Sequence, residues 1–185
     1  MLFVSHSGWP SRFLLTINLI LLLIFSGRCS AQAEENIEYK IKAAYLYNFT
    51  KFITWPEKAS PTFNLCVIGN SPVKQVLSNL EGKTALDKPI RIQLLENSKQ
   101  GTDCHIAYFE QIDAANLAPT VPALQKTLIV SSQPLFAENG GMIGFVLEDE
   151  KIKLHINLKA LKLQGFGISA KLIEVATLVG DANNE

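Results

Sequence analysis

The sequence predicts an α/β fold, a three-layer α/β/α sandwich around a mixed β-sheet, with a C-terminal β-hairpin followed by helices. Short apolar runs of strand length alternate with helical segments along most of the chain, which is the order of a parallel sheet covered by helices. One pair of alternating segments near the C terminus flanks a short charged turn, which predicts an antiparallel hairpin and makes the sheet mixed. The 185 residues are enough for one domain with a hydrophobic core.

The first 33 residues predict a secretory signal peptide. Arg12 supplies a positive charge, residues 13–25 are apolar except for Thr16 and Asn18, and Ala31 and Ala33 form a small-x-small cleavage pattern. Since a membrane span needs roughly 20 apolar residues, the run is short for one, and an uncleaved anchor is the alternative. We therefore expect an exported protein with a signal peptide at 1–33 and a single domain at 34–185.

The charge balance excludes one class of partner. The leader holds two of the 17 basic residues and none of the 17 acidic ones, so the exported chain carries 15 − 17 = −2. A nucleic-acid-binding protein needs a basic stripe that neutralises phosphates, and the sequence has none. The expected partners are proteins or small molecules.

The exported chain opens with a predicted helix at 34–53, which ends before Pro56 because proline disfavours helical geometry in the residue preceding it. Apolar residues widen this helix beyond a single stripe, so it either packs on two sides or contacts a second molecule. One stripe at helical spacing consists of Ile37, Ile41, Ala44, Tyr45, Asn48 and Phe52, and the additional residues are Leu46, Tyr47 and Phe49.

Four apolar runs of strand length follow, at 63–68, 89–95, 104–109 and 127–131. After the first run, Ser71 and Pro72 predict the start of a helix that extends to about Leu80. Residues 114–125 predict a loop or a short helix, since Pro119 and Pro122 interrupt the segment.

The C-terminal part predicts a hairpin and two helices. Segments 142–147 and 152–156 alternate on either side of a charged turn and predict antiparallel strands. Residues 157–163 predict a short helix that ends at Gly165, and 168–179 predict the closing helix. The inner face of the closing helix is expected to carry Ile168, Leu172, Val175 and Val179.

Two cysteines, Cys66 and Cys104, remain after cleavage. Cysteines in an oxidising compartment most often pair, and this bond would close a loop of 104 − 66 = 38 residues. The alternative is two buried free thiols in neighbouring strands. A redox-active pair fits less well, because the sequence has neither a Cys-x-x-Cys motif nor a cluster of cations that would stabilise a thiolate.

No motif in the sequence supplies a reaction, so we expect no catalytic residue, no metal and no cofactor. His105 and His155 both lie in apolar strand patterns, where a histidine faces solvent or is satisfied by a hydrogen bond. The candidate ligand site is the loop of Gly69, Asn70 and Ser71, because ligands collect at the carboxyl ends of strands. The alternative is a tight turn with a helix cap.

Two stretches resemble the YfiR family of periplasmic proteins. Residues 39–56, YKIKAAYLYNFTKFITWP, look like the opening helix of that family, and residues 140–179 look like its hairpin and final helices. Between them FNLCVIG, CHIAYF and TLIVSS stand in the order that the family shows.

The resemblance implies an α/β/α fold and a non-enzymatic regulator. Relatives repress a membrane-bound diguanylate cyclase by binding its periplasmic sensing domain, and an outer-membrane lipoprotein relieves the repression. Relatives also tend to form homodimers and to carry a disulfide, and Cys66 and Cys104 stand where such a bond would join neighbouring strands. The expected partner is an inner-membrane signalling protein of the diguanylate cyclase or sensor kinase type.

Apolar surface beyond the needs of one core marks candidate partner contacts, for which ordinary core packing is the alternative. These candidates are Leu46, Tyr47 and Phe49 on the first helix, with Leu158, Leu161, Phe166 and Ile168 near the C-terminal helix turn. The second hypothesis for the whole protein is a periplasmic sensor that binds a small molecule at the loop that begins at Gly69.

Overall fold

The computed structural model describes residues 37–112 and 114–180. The chain divides into two compact units, Met1–Glu38 and Tyr39–Glu185, and the elements discussed below belong to the second, apart from residues 37 and 38 at the start of the first helix. The predicted signal peptide at 1–33 lies outside the described residues. None of the helices that the structure describes is long and apolar enough to cross a membrane.

In the part of the chain that the structure describes, ten strands form two sheets. In chain order they are β1 (Ile53–Thr54), β2 (Phe63–Ile68), β3 (Thr84–Ala85), β4 (Lys88–Leu95), β5 (Ile106–Phe109), β6 (Leu128–Ser131), β7 (Ile143–Glu148), β8 (Lys151–Asn157), β9 (Gly167–Ile168) and β10 (Ala176–Val179). The main sheet has eight strands in the order β10-β8-β7-β6-β5-β2-β4-β3, and β1 pairs with β9 in the second sheet.

Helices cover both faces of the main sheet. They are α1 (residues 37–52), α2 (Val73–Leu77), α3 (Ala114–Ala123), α4 (Leu158–Leu163) and α5 (Ala170–Ile173). All six residues of β2 are buried, as expected for a central strand with both faces covered. The predicted three-layer α/β architecture around a mixed sheet is confirmed. For 114–125 the structure decides between the two alternatives in favour of a helix, α3, which includes Pro119 and Pro122.

Five neighbouring strands, β4, β2, β5, β6 and β7, run parallel to one another. Their carboxyl termini therefore meet at one end of the sheet, here named the carboxyl end, and their amino termini meet at the opposite amino end. β8 is antiparallel to β7, so it finishes at the amino end, where α4 begins. The carboxyl end carries the polar cluster and the cleft described below, and the amino end carries a group of lysines.

The predicted hairpin is present as β7 and β8. Ile143 pairs with Ile156 and Glu148 with Lys151, which leaves a two-residue turn. Asp149 and Glu150 in that turn have φ values of 48° and 61°. Positive φ at both central residues is the type I′ geometry, whose twist matches that of antiparallel strands.

The residues of α1 that face the core are those beside the predicted main stripe. Ala43, Leu46 and Phe49 are buried, whereas Ile41 of the predicted stripe is 38% exposed. Phe49 packs against Phe145 of β7, with ring centroids 6.2 Å apart. Both sets of residues have helical spacing, and the set that contains Leu46 and Phe49 is the one that packs on the sheet.

The prediction of a closing helix at 168–179 is wrong for most of that segment. Ile168 belongs to β9, only Ala170–Ile173 are helical, and Ala176–Val179 form β10 along the free edge of β8. Leu172 is buried as expected, but Val175 is 60% exposed. A short apolar run is compatible with a helix or a strand. Here the free edge of β8 offers backbone hydrogen bonds to a strand, and threonine and valine favour strand geometry.

Candidate functional site

A disulfide joins Cys66 and Cys104, as predicted, with their Cα atoms 5.8 Å apart. Cys66 lies in β2, and Cys104 lies just before β5, the neighbouring strand. Both side chains are fully buried. In the chain-entropy account, closing a loop of this length stabilises the fold by about 4 kcal/mol.

The carboxyl end of the sheet holds a buried polar cluster. Glu110 follows β5 directly, and its Oε1 accepts a hydrogen bond from Lys42 Nζ at 2.8 Å. Its Oε2 accepts from Ser71 Oγ at 2.6 Å and from Tyr108 OH at 2.8 Å. Tyr108 OH and Ser132 Oγ lie 2.8 Å apart. The cluster thereby ties α1 to β5, to the loop before α2 and to the end of β6.

The protonation states of the cluster follow from these contacts. Burial raises the pKa of Glu110, but the hydrogen bonds from Lys42 and Ser71 and the charge of Lys42 outweigh burial and hold that pKa below its ordinary value. Burial, followed by the charge of Glu110, raises the pKa of Tyr108. An ionised Glu110 and a neutral Tyr108 are therefore the stable forms, and both carboxylate oxygens are already satisfied within the protein.

A cleft of about 640 Å³ opens beside this cluster. Its floor is apolar, with Ile68 at the end of β2, Phe109 at the end of β5 and Ile112 beyond it. The full lining is Ile68, Gly69, Glu96, Asn97, Ser98, Lys99, Phe109, Gln111, Ile112, Asn116, Pro119, Thr120 and Ala123. This volume is within the range of small-molecule sites, and polar groups line its walls over an apolar floor.

Only one of the three residues predicted to bind a ligand reaches the cleft. Gly69 lines it, with a φ of 79° that favours glycine. Asn70 is exposed, and its Oδ1 accepts from Lys74 Nζ at 3.3 Å. Ser71 is fully buried, where its Oγ bonds Glu110 and accepts from Val73 N at 3.2 Å near the start of α2. Ser71 is therefore a turn and cluster residue.

Both histidines have hydrogen-bond partners, as the strand interpretation expected. His105 is buried and stacked on Phe63 at 4.7 Å, and its Nδ1 accepts from Asn64 N at 3.1 Å. Burial, then the charges of nearby lysines, lowers the pKa of His105 to about 4, so the ring is neutral. His155 lies between Glu138 and Glu148, at 2.6 Å and 3.1 Å.

Within residues 37–112 and 114–180, no group of three or more histidine, cysteine, aspartate or glutamate side chains could hold a metal ion.

The candidate partner contacts divide into two groups. Leu46, Phe49, Leu161 and Phe166 are buried, so their side chains belong to the core in this structure. The ring of Phe166, for example, contacts that of Trp55 at 5.5 Å. The half-buried candidates are Tyr47, Leu158 and Ile168.

The residues of the polar cluster were missed by sequence reasoning. Two signals point to them: a lysine, Lys42, among the apolar residues of the first helix, and a carboxylate, Glu110, directly after a fully apolar strand run. Each signal alone is common on protein surfaces, and only the topology brings the two side chains together.

Comparisons with known proteins place the chain in a family. The sequence model of the YfiR/HmsC-like family matches residues 39–177. No curated protein matches the chain. Among solved structures, the ABC domain in complex with L-Trp from Streptococcus pneumonia is 12% identical, with a TM-score of 0.42. That alignment covers 64% of this chain and 55% of the other, so the chain spans just over half of that structure's length.

The family match covers the first helix, the parallel strands, both cysteines and the hairpin. The chain therefore belongs to the YfiR/HmsC-like family, whose members are periplasmic regulators.

Proposed function

We propose that this protein is a non-enzymatic periplasmic regulator that binds the periplasmic domain of an inner-membrane signalling enzyme, a diguanylate cyclase, and represses it. An outer-membrane lipoprotein or another envelope signal relieves the repression. The observation that carries the proposal is the family match over 39–177. The N-terminal signal pattern, Arg12 followed by the apolar run at 13–25, agrees with export to the compartment where such a partner is accessible.

The outward face of α1 is the proposed contact surface. Ile41 is 38% exposed, and Tyr45 and Phe52 are half-buried beside it. Tyr47 lies on another side of the helix, with Lys51 Nζ 4.6 Å from its ring centroid. Tyr45, Tyr47 and Phe52 pack against the core with part of each side chain and leave the rest accessible. Partly exposed aromatic side chains of this kind are typical of interaction surfaces.

Substitutions on this face test the proposal. Ile41→Asp should abolish co-purification of the inner-membrane partner and raise cyclic di-GMP to the level of a deletion strain. Leu94→Asp is the matched control, since Leu94 is also an exposed apolar residue, at 61%, on the distant strand β4. Unchanged cyclic di-GMP after deletion of the whole protein would rule out the cyclase as the target.

We expect a homodimer as the working form, because relatives tend to dimerise. Light scattering on the purified protein measures this directly. A mass of one chain at micromolar concentration would contradict the homodimer but would not contradict the proposed repression.

A second candidate function is binding of a small molecule, and the cleft at the carboxyl end favours it. A thermal-shift screen with amino acids, nucleotides and cofactors tests for it, and a hit should be lost in Asn116→Trp, which fills the cleft. Asn139→Trp is the matched control, because Asn139 is exposed and does not line the cleft. A shift that survives Asn116→Trp would place the ligand elsewhere.

A further inference from the structure

Three lysines come together at the amino end of the sheet. Lys58 precedes β2, Lys88 begins β4 and Lys126 precedes β6. Lys88 Nζ donates to the carbonyl of Lys58 at 3.3 Å, and Lys126 Nζ donates to the carbonyl of Glu57 at 3.1 Å. Both contacts lead to the same loop before β2, so the ammonium groups of Lys88 and Lys126 share one surface. The half-buried Lys58 lies beside them, and its Nζ donates to the carbonyl of Cys104 at 2.6 Å and to Thr127 Oγ1 at 3.0 Å.

Helix α4 extends this surface. Leu158, Lys159, Lys162 and Leu163 line a groove of about 370 Å³ along it. The residue after the helix, Gln164, accepts a hydrogen bond at Oε1 from Lys126 N at 3.1 Å. The groove is therefore continuous with the lysines of the sheet end.

The lysines act on one another and on their neighbours as a positive field. Burial lowers the pKa of Lys58; the charge of Asp103 opposes this shift, and the smaller effect of the Lys126 charge adds to it. The charges of Lys58 and Lys88 likewise contribute to the low pKa of His105. The carboxylates at this end of the sheet, Glu57, Asp87 and Asp103, offset the field only in part, since five lysines face three acidic residues.

We propose that this basic face, defined by Lys58, Lys88, Lys126, Lys159, Lys162 and Leu163, binds the surface of a membrane rich in anionic phospholipid. Lys88, Lys126, Lys159 and Lys162 would contact headgroup phosphates, Lys58 would add its charge from behind them, and Leu163 would enter the interface between headgroups and acyl chains. The proposal does not depend on which protein the regulator represses.

Leu163 is what favours a lipid surface over an acidic protein. It is 77% exposed, the highest value among the described large hydrophobic side chains, and Lys162 precedes it directly. Exposed leucine beside lysines is the composition of interfacial segments, in which the lysine stems lie along the apolar layer and the ammonium groups reach the phosphates. The lysines come from several elements and form a broad face, as a planar headgroup layer requires.

Vesicle sedimentation tests the proposal with the protein expressed from its full sequence. Wild-type protein should sediment with vesicles of phosphatidylglycerol and phosphatidylethanolamine at low salt, and at least tenfold less with phosphatidylcholine alone. Lys159→Gln/Lys162→Gln should weaken binding about 25-fold, at roughly fivefold for each lysine. The matched control is Lys74→Gln/Lys151→Gln, which removes the same charge at the carboxyl end. Intact mass establishes that all variants have the same N terminus, and circular dichroism that they are folded.

Three results would overturn the proposal. The first is equal binding of the wild-type protein to anionic and neutral vesicles. The second is an equal loss of binding in Lys159→Gln/Lys162→Gln and in the control Lys74→Gln/Lys151→Gln. The third is no vesicle binding by wild type together with capture of an acidic envelope protein that Lys159→Gln/Lys162→Gln abolishes, which would assign the face to a protein partner. Weaker vesicle binding by Leu163→Ser, at unchanged salt dependence, would support insertion of the leucine.

Discussion

At the carboxyl end of the sheet, Lys42 and Glu110 neutralise each other inside the protein, and two hydroxyl groups complete the coordination of the carboxylate. At the amino end, Lys58 donates instead to the carbonyl of Cys104 at 2.6 Å, and Lys88 and Lys126 also donate to backbone carbonyls. A peptide carbonyl satisfies a hydrogen bond without cancelling a charge. The charges of one end therefore stabilise the fold as a pair, whereas those of the other are hydrogen-bonded without being neutralised by these contacts.

Removing the disulfide should give the largest loss of stability. Cys66→Ala/Cys104→Ala should lower the free energy of unfolding by about 4 kcal/mol, because the unfolded chain gains the freedom of an open loop. Urea unfolding followed by circular dichroism measures it. Reduction of the wild-type protein should reproduce most of the loss. Equal stability before and after reduction, or equal intact masses of untreated and reduced protein, would contradict the bond.

The next largest effect is expected for the ion pair of the carboxyl end. Lys42→Met should cost about 3 kcal/mol, since it leaves the carboxylate of Glu110 partly buried without its cation. Lys42→Met/Glu110→Leu should recover part of the loss, because no charge then remains unpaired. Lys40→Met, at an exposed position of the same helix, serves as the control and should change stability by less than about 0.5 kcal/mol.

Protonation of His105 at the amino end and of Glu110 at the carboxyl end should destabilise the fold over different ranges of pH. The folded pKa of His105 lies at about 4, below its ordinary 6.5, so the unfolded chain binds a proton first as the pH falls. The neutral His105 therefore stabilises the fold fully above pH 6.5, and this contribution, on the order of 2 kcal/mol, disappears by about pH 4. The lowered pKa of Glu110 gives the same sign at lower pH, with stability lost only below its ordinary 4.5.

Urea unfolding at steps between pH 7 and pH 3 separates the two groups. His105→Asn keeps an acceptor for Asn64 N and should flatten the dependence between pH 6.5 and 4. Glu110→Gln should leave that range unchanged and flatten the dependence below about 4.5. A His105→Asn protein whose profile is parallel to that of wild type from pH 7 to 4 would contradict the assignment of the upper range to this histidine.

Sequence reasoning succeeded where a local signal is decisive. The run FNLCVI gave a strand with its bounds, and the alternation around residues 149 and 150 gave the hairpin. It failed at 176–179, because an apolar segment of four residues takes its state from the neighbouring edge of β8 rather than from its own periodicity. The polar cluster and the basic face were missed for a related reason, because they too depend on which elements become neighbours in the fold.

Glu110 and Lys42 are 68 residues apart, and the lysines of the amino end come from four separate elements. Their proximity is a property of the sheet order, which no spacing in the sequence encodes. Leu46 and Phe49 show the converse case, in which the helical period was visible but the face that meets the sheet was not.

The smallest effects should come from two buried hydroxyl groups that form a matched pair. Ser71 Oγ donates to a carboxylate at the carboxyl end, whereas Thr127 Oγ1 donates to the carbonyl of Cys104 at 2.7 Å at the amino end. A hydrogen bond to a charged group contributes roughly twice as much as a neutral one. Thr127 Oγ1 also accepts from Lys58 Nζ, but at 3.0 Å and from a half-exposed ammonium that keeps a shorter bond to the Cys104 carbonyl. Ser71→Ala should therefore cost about 2 kcal/mol and Thr127→Val about 1 kcal/mol. Lys58 continues to satisfy the Cys104 carbonyl in the valine variant, which keeps its cost low. Thermal and urea unfolding of both variants measure the difference, and a larger loss for Thr127→Val would show that the amino end, and not the carboxyl end, depends more on its internal polar contacts.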